Sequence, residues 1–144
     1  MLGLTESAAG LVISYPIWIG VLCFAVGAAL IAYAARPKAV VKRRFGILMV
    51  AGMLTFVGIY FGLYKVTLAS EFGEIHAFPS QDERMNWTEA QGASVVTRNR
   101  GKGGPREYMV VTDSSARELE IPLGGLSADE RQKVVGYVYA RMPR

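Results

Sequence analysis

LVISYPIWIGVLCFAVGAALIAYAA, residues 11–35, is an uncharged stretch, and how it is read decides how the rest of the chain folds. A helix rises about 1.5 Å per residue, so roughly 20 apolar residues cross a hydrocarbon layer of about 30 Å. The run is long enough to do this with some tilt. A second uncharged run, FGILMVAGMLTFVGIYFGLY, covers residues 45–64 and stops at Lys65. Together they predict a helical hairpin, with helices over about 11–35 and 45–68 and a basic loop over 36–44. The small residues of AYAA ahead of Arg36 and Pro37 imitate a signal-cleavage site. No basic residue precedes the run, however, and it is longer than the apolar segment of a signal peptide, so it reads as an anchor.

Composition supports two different solvents for the two halves. Of the 144 residues, 51% are apolar and only 19% charged, with a mean hydropathy of +0.25. The net charge of +4 is carried by the first half. Up to Ala69, Arg36, Lys38, Lys42, Arg43, Arg44 and Lys65 face a single acid, Glu6, whereas from Ser70 onward ten basic residues face eleven acids. The high pI of about 9.4 is therefore no argument for nucleic-acid binding. The one cysteine, Cys23, lies inside the first apolar run, so no intramolecular disulfide and no Cys/His metal cluster is expected.

Lys and Arg in short loops mark the cytoplasmic side of a membrane. Arg36, Lys38, Lys42, Arg43 and Arg44 crowd the segment between the runs, while MLGLTES before the first and ASEFGEIHAF after the second carry no Lys or Arg. This predicts an inner (cytoplasmic) membrane protein with both termini outside. Tyr15, Trp18, Tyr60, Phe61 and Tyr64 suit one membrane boundary, and Tyr33 and Phe45 the other. Gly58 and Gly62 form a GxxxG pair, and Ala28 and Ala32 a small-xxx-small pair; such spacing lets helix backbones approach closely in lipid. No ionisable residue falls inside either run, so neither a proton relay nor an ion path is expected.

The division predicted is a transmembrane hairpin over 1–69 and a soluble α+β domain over 70–144. Short strand-like runs recur between turn signals at 72–78, 84–87, 93–98, 107–112 and 117–121, with Met85 and Trp87 on one face and Leu119 and Ile121 inward. Ser127 and Glu130 have the spacing of a capping box. They open a helix to about Arg141, whose Val134, Tyr137, Val138 and Met142 share a buried face. Strands followed by one helix give an antiparallel sheet with a C-terminal helix.

MNWTEAQGASVVTR (85–98) resembles the short tryptophan-and-acid strand and turn of bacterial membrane proteins with a pleckstrin-homology-like (PH-like) domain. EYMVVTDSSARELEIPLGGLSADERQKVVGYV (107–138) resembles their following hairpin and terminal helix, including the Leu126-Ser127 to Glu130-Arg131 helix entry. The resemblance covers about half the chain. It implies a twisted antiparallel sheet closed by the C-terminal helix, commonly preceded by one or two membrane helices.

No residue pattern specifies catalysis, and no cofactor is expected. His76 reads as a strand residue, and Asp82, Glu83 and Glu89 as a solvated acidic turn. Gly101-Lys102-Gly103-Gly104 lacks the spacing of a phosphate-binding loop. Arg98, Arg100, Lys102 and Arg106 bring four positive charges to a glycine-rich tip, which is either a solvated turn or a contact for lipid headgroups or an acidic partner. The function expected is that of a non-enzymatic accessory or assembly subunit of a larger membrane complex, respiratory or photosynthetic, with membrane lipids around it. The alternative is a free-standing PH-like module that binds lipid or a signalling partner.

Overall fold

The computed structural model describes residues 2–8, 10–36, 41–77, 79, 82–99 and 104–143, with backbone only at 41–43. The order of elements is β1 (Gly3–Ser7), β2 (Gly10–Ser14), α1 (Ile17–Ala34), α2 (Val41–Leu63), β3 (Lys65–Ala69), β4 (Phe72–His76), β5 (Glu83–Asn86), a 3-10 turn (Trp87–Glu89), β6 (Ala90–Asn99), β7 (Pro105–Asp113), β8 (Glu118–Pro122) and α3 (Ala128–Tyr139). They form two compact units: Met1–Ser14 with Lys65–Arg144, and Tyr15–Tyr64.

The helical unit consists of two helices long and apolar enough to cross a membrane. Only 17% of the α1 span and 11% of the α2 span is buried within the protein, whereas the core helix of a water-soluble fold is mostly buried. At the ends next to the strands both helices fall short of the expected bounds: α1 starts at Ile17 and not near 11, and α2 ends at Leu63 and not near 68. Tyr15-Pro16 sets the start of α1, because a proline disfavours helical backbone in the residue before it. At the other end Tyr64 N–H bonds back to the Tyr60 carbonyl, and the chain then turns extended.

The α/β unit therefore begins earlier than residue 70, and the expected boundary is corrected. Residues 11–14 leave the first run as β2, and Lys65–Ala69, most of which the expected second helix (to about 68) included, form β3; β2 pairs antiparallel with β3, Leu11 opposite Leu68 and Ile13 opposite Val66. Strict alternation drives this choice. Leu11, Ile13, Val66 and Leu68 are buried on one face, the last three completely. A helix over the same residues would scatter those side chains around its circumference. The outer strand β1 completes a five-stranded antiparallel sheet in the order β1-β2-β3-β4-β5.

The second sheet is a three-stranded meander, β6-β7-β8. Its inward residues Met109, Val111, Leu119 and Ile121 are fully or almost fully buried, as expected for the last two. The 3-10 turn joins the sheets. Trp87, also buried, donates its indole N–H to the Ala69 carbonyl (2.9 Å) and its backbone N–H to the Glu71 carbonyl (2.9 Å). Gly73 makes room for it: a Cβ there would lie 2.6 Å from the Trp87 ring and 2.8 Å from a Leu119 methyl.

The helix α3 buries Val134 and Val138 completely, with Tyr137 and Met142 half-buried beside them. Its capping box is formed as the sequence implies: Ser127 accepts from Glu130 N–H, and Glu130 accepts from Ser127 N–H (2.8 Å). The same carboxylate accepts from Leu4 N–H (3.3 Å), which ties the edge of β1 to the helix. Asp113 organises the β7–β8 turn by accepting from the N–H groups of Ser115 (2.8 Å) and Arg117 (2.9 Å). Burial opposes its charge, but these bonds and the Arg117 guanidinium outweigh it and hold its pKa below the ordinary value.

The bonds from Ser127 and Leu4 hold Glu130 below the usual carboxylate range. A carboxylate with a folded-state pKa below its unfolded value adds stability that is complete above the unfolded value and is lost as pH falls through the folded one. Urea unfolding of a Trp18→Phe chain, in which emission comes from Trp87, should therefore show stability falling on acidification below about pH 4.3, the ordinary glutamate value. Glu130→Gln should lower stability at neutral pH and flatten this acid limb, leaving the parts due to Asp113 and to Glu6, which Lys133 also holds below the usual range; an unchanged limb would show that the Leu4–Glu130–Ser127 cluster contributes nothing.

Candidate functional site

Two groups of residues are candidates for contact with other molecules: the helix surfaces and the basic tip. Each can be placed within its own unit.

The helix crossing is built by a seven-residue rhythm of small side chains. Gly20, Gly27 and Ala34 are the buried residues of α1. Across from them, a Cβ at Gly20 would stand 3.4 Å from the Gly58 carbonyl and 4.0 Å from the Gly62 backbone, and one at Gly27 would stand 3.3 Å from the Thr55 hydroxyl. Gly58 in turn faces Cys23 and Phe24. Gly58 thus lies at the crossing, with Gly62 at its margin. Ala28 and Ala32 do not: both are exposed, because Gly27 turns the other side of α1 toward α2. The signal that would have found this face is the spacing of seven between residues 20, 27 and 34, which keeps a seam facing its partner where a spacing of four drifts off it. At one end of the hairpin, Tyr15, Tyr60, Phe61 and Tyr64 form an aromatic cluster, with ring centroids 4.5 Å apart for Tyr15–Phe61 and 5.4 Å for Tyr15–Tyr64.

Of the residues expected to set topology, Arg36 is exposed after α1, with its guanidinium 5.8 Å from the Tyr33 ring. Arg44 donates to the Arg36 carbonyl (2.9 Å). Lys42 and Arg43 fall in the first turn of α2, so the inter-helix segment is shorter than 36–44; their side chains, and Lys38 altogether, lie outside the described residues. Lys and Arg are good helix formers, which suits them to the first turn of α2.

The tip is not a uniform cluster of free cations. Arg98 and Arg106 face each other across β6 and β7. Arg98 is held by two carboxylates, Glu118 (2.6 Å) and Glu120, whose hydrogen bonds raise its pKa against the opposing effect of burial. Arg106 is exposed. Arg100 and Lys102 lie outside the described residues. The acids on β8 that neutralise Arg98 are distant in sequence, and only the meander brings them near.

His76 ends β4 and pairs with Asp82 (2.6 Å), both about half exposed. Among the described residues, no group of three His, Cys, Asp or Glu side chains is arranged to hold a metal ion. Comparison with protein-family models gives no match, and comparison with curated proteins finds no significant relative.

The crossing can be tested by filling it. Gly27→Leu and Gly58→Leu should each destabilise the hairpin by about 1–3 kcal/mol, the usual cost of overpacking a tight contact. The readout is thermal loss of the helical circular-dichroism signal in detergent. Ala28→Leu, on the exposed side, should leave the transition unchanged; equal losses for all three would refute this crossing.

Proposed function

We propose that the chain is a non-enzymatic accessory or assembly subunit of a larger inner-membrane complex, of respiratory or photosynthetic type. The observation that carries this reading is the outer surface of the hairpin. Trp18, Leu22, Phe45 and Met53 are between 56 and 71% exposed, so most of the apolar surface is left for lipid or for other helices. Small residues that the internal crossing does not use, Ala28, Ala32, Gly46 and Gly52, lie on that exposed surface. In lipid, helices associate by close packing rather than by hydrophobic exclusion, and small residues permit it. A surface of large side chains interrupted by small ones suits partner helices.

In this reading the basic residues between α1 and α2 stay at the cytoplasmic face, and the α/β unit lies outside. The α/β unit is read as PH-like. Supporting this are two antiparallel sheets, a C-terminal helix entered through Leu126-Ser127, and a tryptophan turn at the junction of the sheets. The helical hairpin would then be an insertion between its second and third strands. The second reading, a free-standing lipid- or signal-binding module, draws on exposed Arg106, but Glu118 and Glu120 already occupy Arg98.

Mild-detergent affinity purification should recover the chain with companions at fixed stoichiometry. A monodisperse protein without companions would overturn the accessory-subunit reading. Orientation is tested separately with a Cys23→Ala, Ser114→Cys variant, since Ser114 is exposed in the β7–β8 turn. A membrane-impermeant maleimide should label it in intact spheroplasts, and labelling only after lysis would reverse the topology.

A further inference from the structure

One concave site belongs to neither candidate surface. It is an open cavity of about 590 Å³ within the α/β unit, between the tip of the β1–β2 hairpin, the β3–β4 turn and one face of α3. That volume falls in the range of small-molecule sites, roughly 300–1,000 Å³. Lys133 and Tyr137 line it from α3, one turn apart and so on one side of the helix, and Arg141 lines it from the turn that follows the helix. Ser7 and Gly10 line it from the hairpin, and Ser70 from the β3–β4 turn.

The floor is built to admit the tyrosine. Gly10 has a φ of +137°, and a Cβ there would lie 2.0 Å from the Leu68 carbonyl oxygen and 2.6 Å from the Tyr137 hydroxyl. The hairpin backbone is thus drawn in beneath the phenol, and the phenol reaches the cavity beside it. Arg141 is stacked on the Tyr137 ring, its guanidinium carbon 3.3 Å from the centroid. Stacking fixes the plane of the guanidinium and leaves its edge, where all its N–H groups point, for recognition. Among the described residues, the Arg141 guanidinium donates only to the Tyr137 carbonyl (3.2 Å), with one of its five N–H donors.

Charge narrows the ligand. Lys133 pairs with Glu6 (2.9 Å) at the wall, so these two balance each other. Arg141 is then the excess charge of the lining, accompanied by the hydroxyls of Tyr137 and Ser70. An oriented guanidinium beside hydroxyl donors matches an oxyanion, and a planar fork suits the oxygens of a phosphate group. The cavity is much larger than a bare phosphate and has room for what carries it. We propose that this groove binds a phosphate group, held by Arg141 and Tyr137, whether free or as part of a phospholipid headgroup.

The proposal stands apart from the accessory-subunit reading, because the purified chain suffices to test it. The full chain in phosphatidylcholine nanodiscs is titrated calorimetrically with inorganic phosphate and, separately, with dihexanoyl phosphatidic acid below its micellar concentration. At least one of the two should bind. Arg141→Gln should weaken that binding about tenfold or more, the worth of a charge-assisted hydrogen bond. Tyr137→Phe should weaken it too, whereas Arg98→Gln should not. Binding of inorganic phosphate identifies a free oxyanion; binding of phosphatidic acid alone identifies a headgroup. If Arg141→Gln loses the native circular-dichroism spectrum, Tyr137→Phe decides. If neither probe binds, or if the deciding variant binds as tightly as the unaltered chain, the proposal fails.

Discussion

The α/β unit depends on the pairing of Gly10–Ser14 with Lys65–Ala69, two strands that the sequence separates by the whole helical hairpin. Closing a flexible loop of that length has an entropic cost that grows with loop length. Here the intervening residues are two packed helices whose ends already meet, with Tyr15 and Tyr64 in ring contact. With its ends in contact, the packed hairpin leaves Ser14 and Lys65 little chain to close, which lowers the cost of pairing the strands. The pairing also constrains topology: residues that share a sheet lie on one side of any membrane the hairpin crosses, so Gly3–Ser14 and Lys65–Arg144 lie on the same side, whichever side that is.

Once β2 and β3 are joined, the remaining contacts close the sheets around a common core. Trp87 spans the junction, reaching the end of β3 through Ala69 and the β3–β4 turn through Glu71, and Gly73 leaves it the space. The edge strand β1 would otherwise offer its backbone to any passing strand. Glu130 blunts that edge by accepting from Leu4 N–H while completing the helix cap, and Lys133 adds a contact to Glu6. One helical turn thus caps itself and covers a strand edge.

Local signals were legible and non-local ones were not. Ser127 and Glu130 announce a helix start wherever they occur, and the alternation of Leu119 and Ile121 identifies an inward face without knowledge of the partner strand. The two long helices are likewise readable, since length and apolarity alone define them. Leu11–Ser14 and Val66–Ala69 are hidden because apolar residues of a strand buried on one face merge into an adjoining apolar helix, and single residues, Pro16 and Lys65, mark the changes. The site residues follow the same division. Nothing near Arg98 in sequence reveals that Glu118 and Glu120 occupy it, and Ala28 and Ala32 have the spacing of a packing motif while the crossing follows residues 20, 27 and 34. The cavity beside Tyr137 escaped altogether, because it joins residues 7, 10, 70 and 141, which no sequence window contains.

The charges of the α/β unit explain why its near-neutral composition does not make its surface uniform. Arg117 is held by Asp113, Arg131 by Glu107, Lys133 by Glu6 and Arg98 by Glu118 and Glu120. The pairs exposed on both sides, Arg131–Glu107 and Lys133–Glu6, contribute little to stability, typically about 0–1 kcal/mol each. Their larger effect is on recognition, since a cation already facing a carboxylate must give up that partner before it can attract another anion. Recognition therefore falls to cations oriented by something other than an acid. Arg141 meets that condition, since a ring and a carbonyl hold it in place without cancelling its charge. Arg84, whose guanidinium lies 3.8 Å from the centre of the Phe72 ring, is held the same way on the first sheet. What separates the two is shape: Arg141 lines a cavity that has hydroxyls beside it, and it is the cavity that turns a fixed charge into a site.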